Sequence, residues 1–218
     1  MTTEPGMALQ TRKKPETFYP DSDGQPMGET PRHVRTILDS YDVLDYWFRD
    51  QADVFVAANM FLYYVRGDRH KHVSPDVFVV KGIPKIKVPE RRSYRLWEEG
   101  KSPSAVLEIT STTTWDEDHE DKFLLYQDVL QVGEYFLFDP YSENLKTGLA
   151  GYRLVRGKYQ EIKAVQGRLP SKMLELHLEN DHDYLRFFNP ATRQYLQTSR
   201  EARKEMERLK NELKKYRR

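Results

Sequence analysis

Two short apolar segments of this chain each carry one acidic residue where a core residue is expected. Residues 73–80 read VSPDVFVV, and residues 104–111 read SAVLEITS. Both segments favour β-strands because they are rich in apolar and β-branched residues. Period-two alternation puts Asp76 and Glu108 each on one face of its strand with apolar neighbours. Burying a carboxylate in a strand is costly unless it is paired or binds a metal ion, so any fold of this chain must accommodate these two acids.

A helix with a lysine on its apolar side follows the second segment. It begins near Asp116, and the helical period puts Asp118, Lys122, Tyr126 and Val129 on the side predicted to pack on the sheet. The aliphatic stem of Lys122 is long enough to carry its ammonium group towards the ends of the two strands. The pattern therefore brings one lysine to the two acids.

The order of the other elements predicts an α/β fold. Thr30 and Pro31 suit the N-cap and the first position of a helix. Residues 52–58 and 60–65 predict two strands, and one longer bent strand fits the same pattern. The apolar run EYFLFDP at 134–140 predicts a strand that is covered on both faces. A strand–helix–strand unit of this spacing makes its two strands parallel. Gly133 is placed to end the crossover helix.

The C-terminal part divides into a hairpin region and a charged helix. Residues 151–165 predict a hairpin that turns at Arg156-Gly157, and residues 167–195 are predicted to be irregular. The helix from Ser199 carries apolar residues at roughly heptad spacing. We therefore expect a flexible N-terminal arm (1–29), an α/β domain (30–195) and a charged helix (196–218) whose spacing suits a coiled coil and whose apolar residues are Ala202, Met206, Leu209, Leu213 and Tyr216.

The composition limits the class of protein. Lys and Arg total 35 against 34 Asp and Glu, so any nucleic-acid site must be a local patch. The absence of cysteine excludes disulfides and thiolate chemistry. Because no segment has the apolar length of a membrane span or of a signal-peptide core, we expect a cytoplasmic protein that does not bind membranes.

The loop between residues 81 and 101 interleaves basic and aromatic side chains. This combination suits phosphate contacts and base stacking. A solvated loop that folds over the sheet explains the same composition equally well. The candidate nucleic-acid-binding residues are Lys85, Lys87, Arg91, Arg92 and Arg95.

Two carboxylates and one ammonium group at the rim of a sheet suit metal-dependent hydrolysis of phosphodiester bonds. Mg²⁺ prefers carboxylate oxygens and needs only one or two of them. A bound metal ion activates water, and an ammonium group stabilises negative charge on phosphate. Two alternatives stay open at this point: a structural ion pair between Glu108 and Lys122, and a turn role for Asp76, since Pro-Asp is common in turns.

The same residues resemble a known nuclease family. The motifs Pro75-Asp76, VLEITS and GEYFLFDP, with the helix residues Asp118, Lys122 and Tyr126, are similar to the PD-(D/E)xK nuclease superfamily. More narrowly, they resemble the Uma-type family of putative restriction endonucleases, from the first helix to about Tyr195. The resemblance implies a restriction-endonuclease-like core: a helix, an antiparallel strand meander and a strand–helix–strand crossover.

The resemblance also implies roles for individual residues. Asp76 and Glu108 would be the metal-binding acids, with Mg²⁺ or Mn²⁺ as the cofactor. The parent superfamily has a lysine two residues after the glutamate, where this chain has Thr110. In the Uma-type families that lysine lies on the following helix, which makes Lys122 its replacement and makes Asp118 and Tyr126 supporting residues.

Three functions follow as expectations. The first is a Mg²⁺-dependent DNA endonuclease that acts as a homodimer. The second is a catalytically inactive protein with a nuclease fold that binds nucleic acid or a protein partner. The third is an interaction protein that recruits a partner through its C-terminal helix.

Overall fold

The computed structural model describes residues 17–22, 30–86, 89–110, 115, 117–182 and 184–216. The elements are, in chain order, α1 (Pro31–Trp47), β1 (Val54–Ala58), β2 (Leu62–Tyr63), β3 (His72–Val73), β4 (Val77–Lys81), β5 (Tyr94–Arg95), α2 (Leu96–Glu99), β6 (Ala105–Ile109), α3 (Lys122–Leu124), β7 (Glu134–Phe138), β8 (Leu149–Val155), β9 (Lys158–Glu161), β10 (Leu169–Pro170), β11 (His177–Asp181), β12 (Tyr184–Asn189), β13 (Gln194–Tyr195) and α4 (Ser199–Tyr216).

A six-stranded sheet forms the centre of the molecule, with the strand order β1-β4-β6-β7-β8-β9. Strands β6 and β7 are parallel, and the other neighbouring pairs are antiparallel. A helix, an antiparallel meander and a parallel crossover unit therefore occur in the predicted order. This architecture has the helix, the antiparallel meander and the strand–helix–strand crossover expected from the sequence.

The central sheet is buried on both faces. On one face, Val77 and Leu107 pack against α1 and against a second sheet with the order β10-β11-β12-β13. On the other face, Phe78 and Val106 pack against the crossover helix and against a small sheet of β3, β2 and β5. Burial on both faces explains why these strands are apolar almost throughout.

Helix α1 begins as its sequence predicts. Thr30 has extended backbone angles, and its hydroxyl accepts a hydrogen bond from the His33 backbone N–H at 3.2 Å. Pro31 occupies the first helical position, where a missing N–H costs nothing. The Arg32 side chain donates a hydrogen bond to the Pro140 carbonyl oxygen at 2.9 Å, which ties the start of α1 to the segment that follows β7.

The crossover between β6 and β7 is wound more widely than an ordinary α-helix. It consists of a π-helical turn (Glu117–Asp121), the short helix α3 and a second π-helical turn (Leu125–Val129), which together we call the crossover helix. Its hydrogen bonds span five residues in the π-helical turns, so the side chains drift from the 3.6-residue period. Val129, predicted to face the sheet, is therefore exposed, and Gln127 is buried instead.

Three further expectations need correction. Gln131, not Gly133, has the left-handed backbone angles (φ 53°) that follow the helix end. Gly133 is required for another reason, because a Cβ atom there would lie 2.7 Å from the Ser104 carbonyl oxygen. Residues 167–195 are not irregular but supply the four strands of the second sheet. Tyr19, inside the expected flexible arm, is buried against Tyr63.

Two other features agree with the sequence. The turn at Arg156-Gly157 has positive φ angles at both residues, which suits the tight hairpin between β8 and β9. The charged helix forms as α4, with no buried residue. Within the described part of the chain, no helix has the length and apolar character needed to cross a membrane.

Glu134 joins the central sheet to the segment that leads into the second sheet. It is fully buried at the start of β7 and accepts hydrogen bonds from Arg153 Nε at 2.7 Å and from the backbone N–H groups of Lys172 (3.0 Å) and Met173 (3.1 Å). The Ser171 hydroxyl also donates to it. This carboxylate therefore satisfies four donors that would otherwise lack a partner.

We expect Glu134→Gln to lower the free energy of unfolding by about 1–3 kcal/mol, because an amide nitrogen would face donors that now bind a carboxylate. Urea unfolding monitored by circular dichroism measures the change. The matched control is Glu161→Gln on β9, where the side chain is exposed and the change should stay within about 0.5 kcal/mol. Equal losses for the two variants would contradict a structural role for Glu134.

Candidate active site

The two acids singled out by the sequence meet where β4 and β6 lie side by side. The antiparallel register pairs Val77 with Leu107, so Asp76 lies opposite Glu108. The backbone N–H of Asp76 donates to Glu108 Oε2 at 3.2 Å, and the backbone N–H of Ile109 donates to Asp76 Oδ2 at 2.7 Å. Each carboxylate is thus tied to the backbone of the other strand.

Glu108 is the most buried member of the site, with no exposed surface. Its Oε1 atom accepts a hydrogen bond of 2.6 Å from the Tyr126 hydroxyl. Its Oε2 atom lies 3.3 Å from Lys122 Nζ. A buried carboxylate needs such partners because it has lost its hydration.

Lys122 reaches the acids from the crossover helix. Its Nζ atom lies 2.8 Å from Asp118 Oδ1, one turn earlier, and its side chain is 15% exposed. Asp118 is itself buried, and its carbonyl oxygen accepts a hydrogen bond from Tyr135 at 2.8 Å. The structure therefore brings together Asp76, Glu108, Lys122, Asp118 and Tyr126, the five residues that the sequence placed at the site.

The burial of this cluster changes its acid–base properties. Burial, reinforced by the charges of Asp76 and Asp118, raises the pKa of Glu108 to about 8, although Lys122 and the Tyr126 hydroxyl act in the opposite direction. Burial alone lowers the pKa of Lys122, but the charges of Glu108 and Asp118 outweigh it and raise that pKa above its usual value. Lys122 therefore stays an ammonium group at physiological pH.

One residue beside the site was missed in the sequence. His33, in the first turn of α1, is largely buried, and its Nε2 atom lies 3.6 Å from Asp76 Oδ2. Its proximity to Asp76 comes from the packing of α1 on the sheet. Residues 33–36 (HVRT) do not indicate this contact, because Asp76 lies 43 positions later in the sequence.

The donor set fits a hard divalent cation with few protein ligands. Asp76 and Glu108 offer carboxylate oxygens from adjacent strands at one point. Among the residues that the structure describes, no three His, Cys, Asp or Glu side chains form a metal-binding group. Mg²⁺ retains several waters and takes one or two protein carboxylates, which Asp76 and Glu108 can supply.

Comparisons with known proteins agree with this arrangement. The sequence profile of Uma2, described as putative restriction endonuclease, matches residues 9–181, which is more than half of the chain. The chain belongs to the Uma2 family. This result confirms the resemblance stated from the sequence, and it supports a nuclease of the restriction-endonuclease type.

A solved structure supports the Uma2 fold independently. The chain is similar to a putative nuclease belonging to DUF820 from Anabaena variabilis ATCC 29413, with a TM-score of 0.52 and 16% sequence identity. The match covers 78% of this chain and 93% of that chain. At this identity the similarity shows the fold alone. No curated protein sequence matches the chain.

The lysine of this Uma2 chain reaches the acids from the crossover helix and not from the strand that carries Glu108. Position 110, two residues after Glu108, holds a threonine that is fully buried, and its backbone N–H donates to the Phe138 carbonyl oxygen at 2.8 Å. Lys122 presents its ammonium group to Glu108 from the helix.

The basic loop is only partly available for nucleic acid. Arg91 is buried and forms a two-point ion pair with Glu99, at 3.1 Å for each contact, while its guanidinium lies 4.5 Å from the centre of the Phe55 ring. We had expected Arg91 to contact nucleic acid, but this burial assigns it a structural role. Lys85 is also engaged, because its Nζ atom lies 2.9 Å from Asp45 Oδ1.

Two of the remaining loop residues keep an accessible charge. The side chain of Arg92 is 81% exposed although it pairs with Asp21, and Arg95 is partly exposed beside Glu98. Lys87 lies outside the described residues. Among the described candidates, Arg92 and Arg95 therefore remain available to contact phosphate groups.

The raised pKa of Glu108 predicts how stability depends on pH in the metal-free protein. Its ordinary value is 4.5, so between pH 4.5 and about 8 the folded state holds a proton that the unfolded state releases. The free energy of unfolding should therefore fall as pH rises through this range, by up to about 1.4 kcal/mol per pH unit.

Denaturant unfolding in EDTA at several pH values measures this effect, with wild type and Glu108→Gln compared. The difference between the two curves isolates the contribution of Glu108 from that of every other group. The glutamine variant should show the flatter curve. Parallel curves would mean that Glu108 is ionised throughout and is fully neutralised by Lys122.

Proposed function

We propose that the chain is a metal-dependent endonuclease that hydrolyses phosphodiester bonds in DNA, with Mg²⁺ or Mn²⁺ as its cofactor. The observation that carries the proposal is the convergence of Asp76, Glu108 and Lys122 at one buried point of the central sheet. Membership of the Uma2 family supports the same reaction class. Phosphodiester hydrolysis needs charge stabilisation at phosphate, which these groups can provide.

Asp76 and Glu108 would hold the metal ion. When bound, such an ion lowers the pKa of a coordinated water and neutralises charge on phosphate. The two strands supply rigidity, since each acid accepts a backbone hydrogen bond from the neighbouring strand. The Tyr126 hydroxyl fixes the orientation of the Glu108 carboxylate. Preorganised ligands of this kind lose little conformational entropy when an ion binds.

Lys122 would act on the substrate and not on the metal. An ammonium group has no lone pair to offer, so it can orient water or stabilise negative charge on the scissile phosphate. Asp118 positions it through the contact of 2.8 Å within the crossover helix. The exposed part of Lys122 is small, which keeps its charge in a poorly solvated environment where electrostatic effects are strong.

Arg92 and Arg95 would contact the DNA backbone near the protein surface. They are accessible cations just before Trp97 of α2, whose ring packs against Tyr19 with the ring centres 5.0 Å apart. With a net charge of +1, the whole protein has little attraction for DNA, so local contacts must provide it. Cleavage of two strands further suits a homodimer, because each chain contributes one site.

A specific observation favours a second candidate function. The contacts of Glu108 to Lys122, Tyr126 and the Asp76 backbone N–H satisfy the buried carboxylate without any metal ion. Such a network suits a catalytically inactive protein that uses the nuclease fold to bind nucleic acid or a protein partner. Substitution of Lys122 separates the two functions.

We expect Lys122→Ala to retain binding of Mg²⁺ and to lower the rate of DNA cleavage about 10²–10³-fold, the loss typical of removing one electrostatic stabiliser. Lys122→Met keeps the apolar stem and should be as inactive but more stable. Cleavage of supercoiled plasmid with Mg²⁺ or Mn²⁺ measures the rate, and calorimetry measures the affinity for the metal ion. The matched control is Lys158→Ala, an exposed lysine paired with Asp128, which should cleave normally.

Two results would contradict the nuclease proposal. The first is a wild-type protein that fails to cleave DNA with either metal ion. The second is a folded Lys122→Met variant that cleaves as fast as the wild type. If the wild type is inactive and Lys122→Ala also unfolds, the lysine is half of a structural ion pair and the binding function is favoured.

A further inference from the structure

The C-terminal helix α4 presents an apolar stripe that stays largely exposed in the described part of the chain. Met206, Leu209, Leu213 and Tyr216 are all exposed, and Leu213 is 60% exposed. The hydrogen bonds from the Ser199 hydroxyl to Asp42 (2.9 Å) and from Arg186 to Glu201 (2.7 Å) tie the start of the helix to the body, and Met206 borders a cavity with Trp47 of α1. The stripe therefore lies along the part of the helix that leaves the body.

The spacing of the stripe is that of a coiled coil. Met206 and Leu213 are seven residues apart, and Leu209 and Tyr216 repeat the same interval three residues later. These are the a and d positions of a heptad, with Met206 and Leu213 at a and Leu209 and Tyr216 at d. An isolated helix of this length is marginal in water, so a partner that covers the stripe would stabilise it.

The charged residues beside the stripe favour pairing with a second copy of α4 in parallel orientation. Glu205 and Glu212 occupy g positions, and Lys210 occupies an e position. In a parallel pair each g residue meets the e residue five positions later on the other chain, which joins Glu205 to Lys210. The next such pair in the sequence is Glu212 with Arg217, also of opposite charge.

An antiparallel pair of the same helices would have the opposite electrostatics. There, g positions face g positions and e positions face e positions, so Glu would meet Glu and Lys would meet Lys or Arg. Like charges across such an interface are unfavourable. The helix is therefore complementary to a parallel copy of itself and not to an antiparallel one.

We propose that α4 forms a parallel, two-stranded coiled coil with a second copy of this chain. A parallel pair places the two bodies at the same end of the coil, side by side. In an antiparallel pair they would be separated by the length of the helix, about 27 Å for 18 residues. This inference does not depend on catalysis, so it holds or fails separately from the proposed nuclease function.

Because the natural chain has no cysteine, disulfide crosslinking of the full-length protein tests the direction of the pair. In a parallel coil Leu209 meets Leu209 of the other copy, so Leu209→Cys should form a crosslinked dimer on mild oxidation. The matched control is Asn211→Cys, at the outward f position two residues later, which should stay uncrosslinked. Non-reducing electrophoresis with mass measurement reads the result.

The antiparallel arrangement makes a different prediction for the same variants. There, a positions face d positions, so Leu209→Cys alone would not crosslink, whereas a mixture of Met206→Cys or Leu213→Cys with Leu209→Cys would. That result would overturn the proposal. A wild-type chain that sedimentation equilibrium shows to be monomeric at tens of micromolar would overturn it equally, as would a dimer unchanged after removal of residues 197–218.

Charge reversal tests the pairing of Glu205 with Lys210. Lys210→Glu should weaken the dimer measurably, because it sets two glutamates against each other in each pair. Adding Glu205→Lys should restore the dissociation constant, since the signs are exchanged between the two chains. Glu205 also forms an ion pair with Arg208 in its own helix, which Glu205→Lys removes. Circular dichroism therefore checks that each variant keeps the helix content of the wild type. Failure of the double variant to recover would contradict the parallel pairing.

Discussion

The burial of Glu108 is the constraint on which the rest of the candidate site depends. A fully buried carboxylate in a central strand must be compensated, and here it has three partners: the backbone N–H of Asp76 just before β4, and Lys122 and Tyr126 on the crossover helix. The crossover helix is consequently held against the sheet by polar as well as apolar contacts. Stability and candidate chemistry thus share the same side chains, as is common where charged groups are buried.

Burial alone does not identify the site. Glu134 and Asp139 are buried in or beside β7, yet their carboxylates bind backbone N–H groups and, for Glu134, Arg153, so each is fully engaged in holding the structure. Glu108 differs because, beside one backbone N–H, its partners are a lysine and a tyrosine hydroxyl next to a second acid. Two carboxylates with an ammonium group at one point can hold a divalent cation and leave the lysine to act on the substrate, which is why we propose catalysis at this cluster.

The periodicity of the sequence predicted those site residues whose position depends only on their own strand or helix. Alternation in the two apolar segments put Asp76 and Glu108 on the sheet, and the helical period put Lys122 on its inner side. Contacts between distant segments were not accessible: His33 meets Asp76 only after α1 packs, and Arg91 was misread because its ion pair with Glu99 forms only when the loop folds. The second sheet was missed because its strands are short or interrupted by polar residues.

We propose that Asp76 and Glu108 together bind one divalent cation. Anomalous diffraction from crystals grown with millimolar Mn²⁺ would locate the ion independently of any activity. We expect a single anomalous peak about 2.1 Å from oxygens of both carboxylates, with Lys122 Nζ outside the coordination sphere. Crystals without a peak, in which Lys122 still lies against Glu108, would show that the two acids do not bind a metal ion.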